Sequence, residues 1–188
     1  TGVSFLPDPE IFKETVEIHY GNFKKQVKER AYLINNVSFK VENKKTGDKV
    51  AYFFDGGILS LLRDINRGKK VVHDAIYLKR QVDDKELEVA IQYNDSINEH
   101  VMSFVNVINT QEGGTHLTGF RIALTKSINS YAKSILSEKD LKDPLTGEDT
   151  KEGLSAIVYV KMPSTNLQFE GQTKTKWETQ RFRHWYNK

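Results

Sequence analysis

Near the end of the chain, Gln172-Thr173-Lys174 offers residue types suited to a phosphate. A lysine ammonium is a compact charge that matches a terminal phosphate, and a glutamine side chain both donates and accepts. Phosphoryl transfer depends mostly on positioning and charge neutralisation, so such a pair assists without acting as base or nucleophile. On residue types alone, Lys174 is one of 28 cationic residues, and a surface role is the plainer reading. A second constellation starts at Gly113-Gly114 and Thr115, a residue type that caps helices. Leu117, Phe120, Leu124, Ile128 and Tyr131 then recur at steps of three and four, which predicts a helix with one apolar face. Thr118, Arg121, Thr125 and Asn129 form a polar stripe beside it, with Lys126 and Lys133 off its edge. A glycine turn feeding such a helix suits an anion or DNA contact; the plainer reading is a core helix with a solvated back.

Nothing else assembles into a catalytic set. The five histidines (His19, His73, His100, His116, His184) are scattered, without metal-ligand spacing. There is no Gly-x-Ser-x-Gly elbow and no Walker A motif. With no cysteine, disulfides and thiolate chemistry are excluded. His116 and the Gly113-Gly114 pair read as structural, the glycines allowing a tight strand-to-helix turn.

The elements that must position these residues fit one domain of 188 residues, with a net charge of +3 that permits nucleic-acid contact without arguing for it. No apolar run is long enough for a membrane span. The start lacks the features of a signal peptide, and the missing initiator Met suggests a fragment or a processed chain. Asn22 is read as the cap of a helix running to about Tyr32, its Lys24, Lys25, Lys28 and Arg30 facing solvent. VSFKVEN and KVAYFFD flank a glycine turn as a hairpin. Gly56-Gly57 opens a short helix. Ala75–Gln81 and Glu86–Tyr93 form a second strand pair, His100–Ile108 another strand, and Leu154–Lys161 the last. Hairpins mixed with a few helices argue an α+β class.

Several colinear segments carry a resemblance: FLPDPEIF (Phe5–Phe12), VAIQYND (Val89–Asp95), EGGTHLTGF with the later ALT and NSYA, LTGEDTKEGLSAIVYVK (Leu145–Lys161) and FEGQTKTK (Phe169–Lys176). Together they resemble the second, transducer domain of the gyrase B family of type II DNA topoisomerases; the paralogous topoisomerase IV protein shares most of them. The resemblance implies a mostly antiparallel sheet with helices on one side, the ribosomal-protein-S5-domain-2-like fold. Residues 1–8 would end a missing ATP-binding domain, and 9–176 would be the transducer. It implies that Gln172 and Lys174 reach the γ-phosphate of ATP in the neighbouring domain. Arg121 would face the cavity through which DNA passes, with Lys126 adding to that surface; the plainer reading of Arg121 is a salt bridge to Glu148 or Glu152. ATP and Mg²⁺ would be held mainly by the missing domain, so this chain alone would not hydrolyse ATP. The implied partners are DNA, the gyrase A protein and a second copy of the gyrase B protein, in the cytoplasm and with no membrane. A rival of another class is a stand-alone nucleic-acid-binding module on the same fold.

After Lys176 relatives continue with leucine and Gly-Asn, whereas this chain reads Trp-Glu-Thr-Gln. The codons TGG-GAA-ACC-CAG, shifted by one base, become CTG-GGA-AAC-CCA, which encodes Leu-Gly-Asn-Pro. Residues 177–188 are therefore expected to be a frameshifted, loosely packed end that deprives the Lys174 loop of its downstream anchor.

Overall fold

The structure is a computed structural model, and it describes residues 1–136, 143–167 and 169–177. Among the described residues, three α-helices and seven strands follow in the order α1 (Tyr20–Leu33), β1 (Phe39–Asn43), β2 (Asp48–Tyr52), α2 (Gly57–Ile65), β3 (Ile76–Val82), β4 (Lys85–Tyr93), β5 (His100–Val105), β6 (Ile108–Asn109), α3 (Thr115–Ile135) and β7 (Leu154–Lys161). The strands β1 and β2 form a separate hairpin. The main sheet runs β3-β4-β7-β5-β6. Every neighbouring pair in it is antiparallel except β5 and β7, which are parallel.

The α+β class and the mostly antiparallel sheet match the sequence reading, but the helices take both faces of the sheet, not one. Side chains alternate along β7. Leu154, Ala156 and Val158 point to one face, where they pack with Val89, Ile91 and Phe120 of α3. Ile157 and Tyr159 point to the other, against Leu61 and Leu62 of α2 and Leu33 of α1. The cause is visible in β7 itself. LSAIVYVK is buried over seven consecutive residues, as expected of a central strand covered twice. Burying an apolar side chain of this size is worth roughly 1.5–3 kcal/mol, so each face needs its own cover.

Local chemistry sets the element ends. α1 begins before Asn22: His19 is its cap, with Nδ1 accepting the Asn22 N–H at 3.2 Å. Lys28 is not simply solvated. Its Nζ lies 2.6 Å from Asp64, which also accepts from the Tyr32 hydroxyl at 2.9 Å, and this joins α1 to α2. The predicted His100–Ile108 strand is a tight β5-β6 hairpin, turned at Asn106, whose φ is 53°. On α3 the apolar face holds through Phe120 and Leu124, but Tyr131 is exposed and Ala132 is buried in its place. The repeat continues in steps of four from Phe120 through Leu124 and Ile128 to Ala132, which turns Tyr131 outward.

Candidate functional site

The Gln172-Thr173-Lys174 loop is built outward from the end of the sheet where β7 leaves it. After Lys161 the chain turns at Ser164–Asn166 and folds back as a short loop with Phe169 bridged to Trp177. Glu170 N–H donates to the Lys176 carbonyl at 3.0 Å, and Lys176 pairs with the Glu170 carboxylate at 2.6 Å. Gln172, Thr173 and Lys174 form the exposed tip. The Lys174 N–H donates to the Gly171 carbonyl at 3.3 Å, closing the turn, and its Nζ lies 5.9 Å from the centre of the Phe169 ring. Among the described residues, no carboxylate pairs with Lys174.

Lys174 also has an unusual backbone. Its φ is 56°, in the left-handed region. The other non-glycine residues with positive φ among those described are Asn36, Asp83 and Asn106, of the types that tolerate this conformation. A lysine there costs on the order of 1 kcal/mol.

The loop base rests on the Gly113-Gly114 turn. Glu112 N–H donates to the Thr175 carbonyl at 3.0 Å, Trp177 N–H to Gly113 at 3.1 Å, and Thr115 N–H to Trp177 at 3.2 Å. Gly114, not Thr115, occupies the cap position of α3. Its φ is 147°, and a Cβ there would run into the Trp177 carbonyl. Glycine is required because the loop's exit strand lies against the turn. Contrary to the sequence reading, the loop does have a downstream anchor. Trp177 has no exposed surface and packs with Val105, Val160 and Met162. Residues 178–188 lie outside the described residues.

Arg121 is placed differently. Its Nε and Nη2 donate to the two carboxylate oxygens of Glu99 at 3.2 and 2.7 Å. The expected salt bridge exists, but its partner is neither Glu148 nor Glu152. In the rest of the polar stripe Thr118 is exposed, but Thr125 and Asn129 are not a solvated face. Asn129 exchanges two hydrogen bonds with the Leu145 backbone at 2.8 Å each, and Thr125 meets Thr150 at 3.0 Å. The stripe is the seat of the Leu145–Thr150 loop, a contact that no local pattern signals. Lys126 is exposed. The structure brings Gln172 and Lys174 together at one tip and leaves Arg121 and Lys126 on α3.

His116, which the sequence marks only as structural, lies at the loop base. In the first turn of α3 it is 2 % exposed, and burial pushes its imidazole down to about 4. Its Nε2 lies 3.0 Å from Thr110 Oγ1, and its ring meets Trp177 edge-on with centres 5.1 Å apart. Among the described residues, no group of three His, Cys, Asp or Glu side chains could hold a metal ion. None of the described helices is long and apolar enough to cross a membrane.

Comparison with known proteins adds the following. A family model described as DNA gyrase B matches residues 57–188. The DNA gyrase B protein of Streptococcus pneumoniae is 46% identical over 179 residues, which is 94% of this chain and 27% of that protein. That of Archaeoglobus fulgidus is 43% identical over 176 residues, again 94% of this chain and 27% of the relative. The chain thus spans about a quarter of the length of these curated relatives. Among solved structures, the 43K ATPase domain of Thermus thermophilus gyrase B in complex with an aminocoumarin matches with a TM-score of 0.74 at 30% identity, over 92% of this chain and 46% of that one. The topoisomerase IV ATP-binding domain of Francisella tularensis matches with a TM-score of 0.73 at 24% identity, over 92% of this chain and 46% of that one, and so shares the fold.

Proposed function

The chain belongs to the DNA gyrase B family, and on that premise we propose that it is the transducer segment of a gyrase B protein, coupling ATP binding and hydrolysis to closure of a gate on DNA. The loop tip carries this reading: an exposed lysine with no carboxylate partner among the described residues, held in a left-handed conformation, on a loop with a fixed base. A cation left unneutralised on its own surface is available to a phosphate presented from outside. Lys174 and Gln172 contact the γ-phosphate of ATP bound by an upstream domain. That contact locks the two domains together. When hydrolysis releases the γ-phosphate, the attraction that held Lys174 is lost and the domains separate. The nucleotide and its Mg²⁺ are held mainly by the upstream domain, and the residues of this chain supply no step through the ion.

Arg121, with Lys126, contributes weak backbone contacts to the passing DNA. Sequence-independent phosphate contacts attract DNA without trapping it. The partners are DNA, the gyrase A protein and a second copy of the gyrase B protein, in the cytoplasm.

The test uses the full-length gyrase B protein assembled with gyrase A and DNA. Removing one preorganised donor from a developing charge costs roughly 3 kcal/mol, about 100-fold in rate. Lys174→Ala is expected to lower ATP turnover by that factor while nucleotide still binds. Near-normal turnover would end the assignment.

A further inference from the structure

We infer that His116 and Trp177 are positioning residues for Lys174, forming a clasp that holds the loop tip at a fixed place relative to the start of α3. This rests on the reading of Lys174 given above. Three backbone hydrogen bonds join residues 112–115 to 175–177 as a short parallel ladder, leaving only Gly171–Lys174 beyond the anchored base. The ladder is locked from the interior. Trp177 is fully buried against the paired ends of β5 and β7, where Val105 and Val160 lie side by side, and its ring meets that of His116 in an edge-to-face contact. His116 is oriented in turn from the sheet. Thr110 Oγ1 lies 2.9 Å from the Ser103 carbonyl, 2.8 Å from Ser103 Oγ and 3.0 Å from His116 Nε2, and so ties the imidazole to the sheet. Ser103 Oγ donates back to the Thr110 carbonyl at 3.0 Å. A chain of contacts therefore runs from β5 through Thr110, His116 and Trp177 to the strand three residues after Lys174.

A lysine serving a phosphate in another domain needs this. Its side chain is flexible, so the place its ammonium can reach is set by where its Cα is held. Misplacing a reacting or stabilising group by about 1 Å costs up to roughly 100-fold. The clasp also gives the tip a rigid connection to α3, the helix that bears Arg121, so a pull on Lys174 is delivered to the start of that helix.

The experiment compares His116→Ala, Trp177→Ala, Thr110→Val and the conservative His116→Gln and Trp177→Phe in the full-length protein, singly and combined with Lys174→Ala. The clasp predicts a drop in kcat of about tenfold for the two alanine variants and a smaller drop for Thr110→Val, with KM for ATP changed less than about threefold. His116→Gln keeps a polar side chain that can bond to Thr110 and Trp177→Phe keeps an aromatic ring on Val105 and Val160, so both should recover most of kcat. On the Lys174→Ala background, His116→Ala and Trp177→Ala should cause no further loss, because a positioning residue has nothing left to position. Alanine variants that melt earlier but keep kcat, or losses that multiply with Lys174→Ala, overturn the clasp. If Trp177→Ala does not fold, Thr110→Val and His116→Gln decide the matter by the same two criteria. Normal turnover in Lys174→Ala would defeat the reading of Lys174 itself and the clasp with it, whereas loss there with full kcat in the His116 and Trp177 variants defeats the clasp alone.

Discussion

Lys174 and Arg121 are both cations that the family resemblance singles out, yet they sit in opposite surroundings. Lys174 is exposed, in a left-handed backbone, with an aromatic ring beside its ammonium. Arg121 is held in a two-pronged pair by Glu99, in a region where the neighbouring Thr125 and Asn129 are committed to the Leu145–Thr150 loop. Under the proposed function, the difference separates two kinds of electrostatic work. A charge that must find one phosphate at one moment would be kept free on a braced loop. A charge already neutralised by a carboxylate exerts only a weak pull, which would suit passing DNA.

The largest expected effect tests the first half of that contrast. Lys174→Ala and Lys174→Gly should both lose about 100-fold in ATP turnover. They should differ in stability. Glycine relieves the left-handed strain, so Lys174→Gly should melt at or above the wild-type temperature, by up to about 1 kcal/mol of added stability. Calorimetry beside a steady-state assay reads both. If Lys174→Gly loses stability along with activity, the backbone conformation is not strained and the left-handed residue carries no message about function. Arg121→Gln should change turnover only a few-fold under the same conditions. An equal collapse in both variants would erase the contrast.

A medium effect concerns the buried base beneath the tip. Burial lowers the His116 pKa from 6.5 to about 4, so the folded protein holds this ring neutral where the unfolded chain would protonate it. Between those two values the unfolded state binds more protons, and stability falls as the solution is acidified. The contribution is complete above about pH 6.5 and is lost progressively toward pH 4. From pH 7 to pH 5 the loss is about 2 kcal/mol. His116→Gln cannot take up the proton and should flatten this part of the profile. Denaturant melts of the two proteins at a series of pH values measure the difference, and parallel profiles would show that the ring is not held neutral by burial.

Much of this is legible in the sequence. The alternation in β1 and β2, the apolar stripe of α3 and the glycine turn before it each have a local period or a local φ requirement. The double-sided sheet leaves a signal too: LSAIVYVK has no polar face, and such a strand needs cover on both sides. His19 escapes a sequence reading because histidine is not a usual cap, and Asn22 nearby is a better match to the rule. The polar stripe of α3 misleads for a deeper reason. Thr118, Arg121, Thr125 and Asn129 look the same whether they meet water or the backbone of a loop about 20 residues later in the chain. Only the fold brings Leu145 to Asn129 and Glu99 to Arg121. The place of Trp177 is hidden because the reading of 177–188 as a frameshifted end turns attention from packing to the origin of the segment. Its size and apolar character are what cover the paired ends of β5 and β7.

The smallest expected effect sharpens the second half of the contrast, at Glu99. If the carboxylate tempers Arg121, removing its charge should strengthen the response to DNA. Glu99→Gln keeps the shape of the side chain and leaves Arg121 with an uncompensated positive charge. Each additional phosphate neutralised adds about one to the slope of log binding against log salt. The variant should therefore show a DNA response that is a few-fold stronger at low salt and steeper in salt by up to about one, while Arg121→Gln shifts both the other way. Arg121 is 40% exposed and solvent screens the pair, so its loss should cost on the order of 1 kcal/mol of stability in either variant. Titrating DNA-stimulated ATP turnover across a range of potassium chloride concentrations reads the slope directly. A common small loss of stability with an unchanged salt slope in both variants would mean that Arg121 serves only to tie α3 to the start of β5. In that case Lys126, exposed on the same helix, becomes the cation to test for DNA contact.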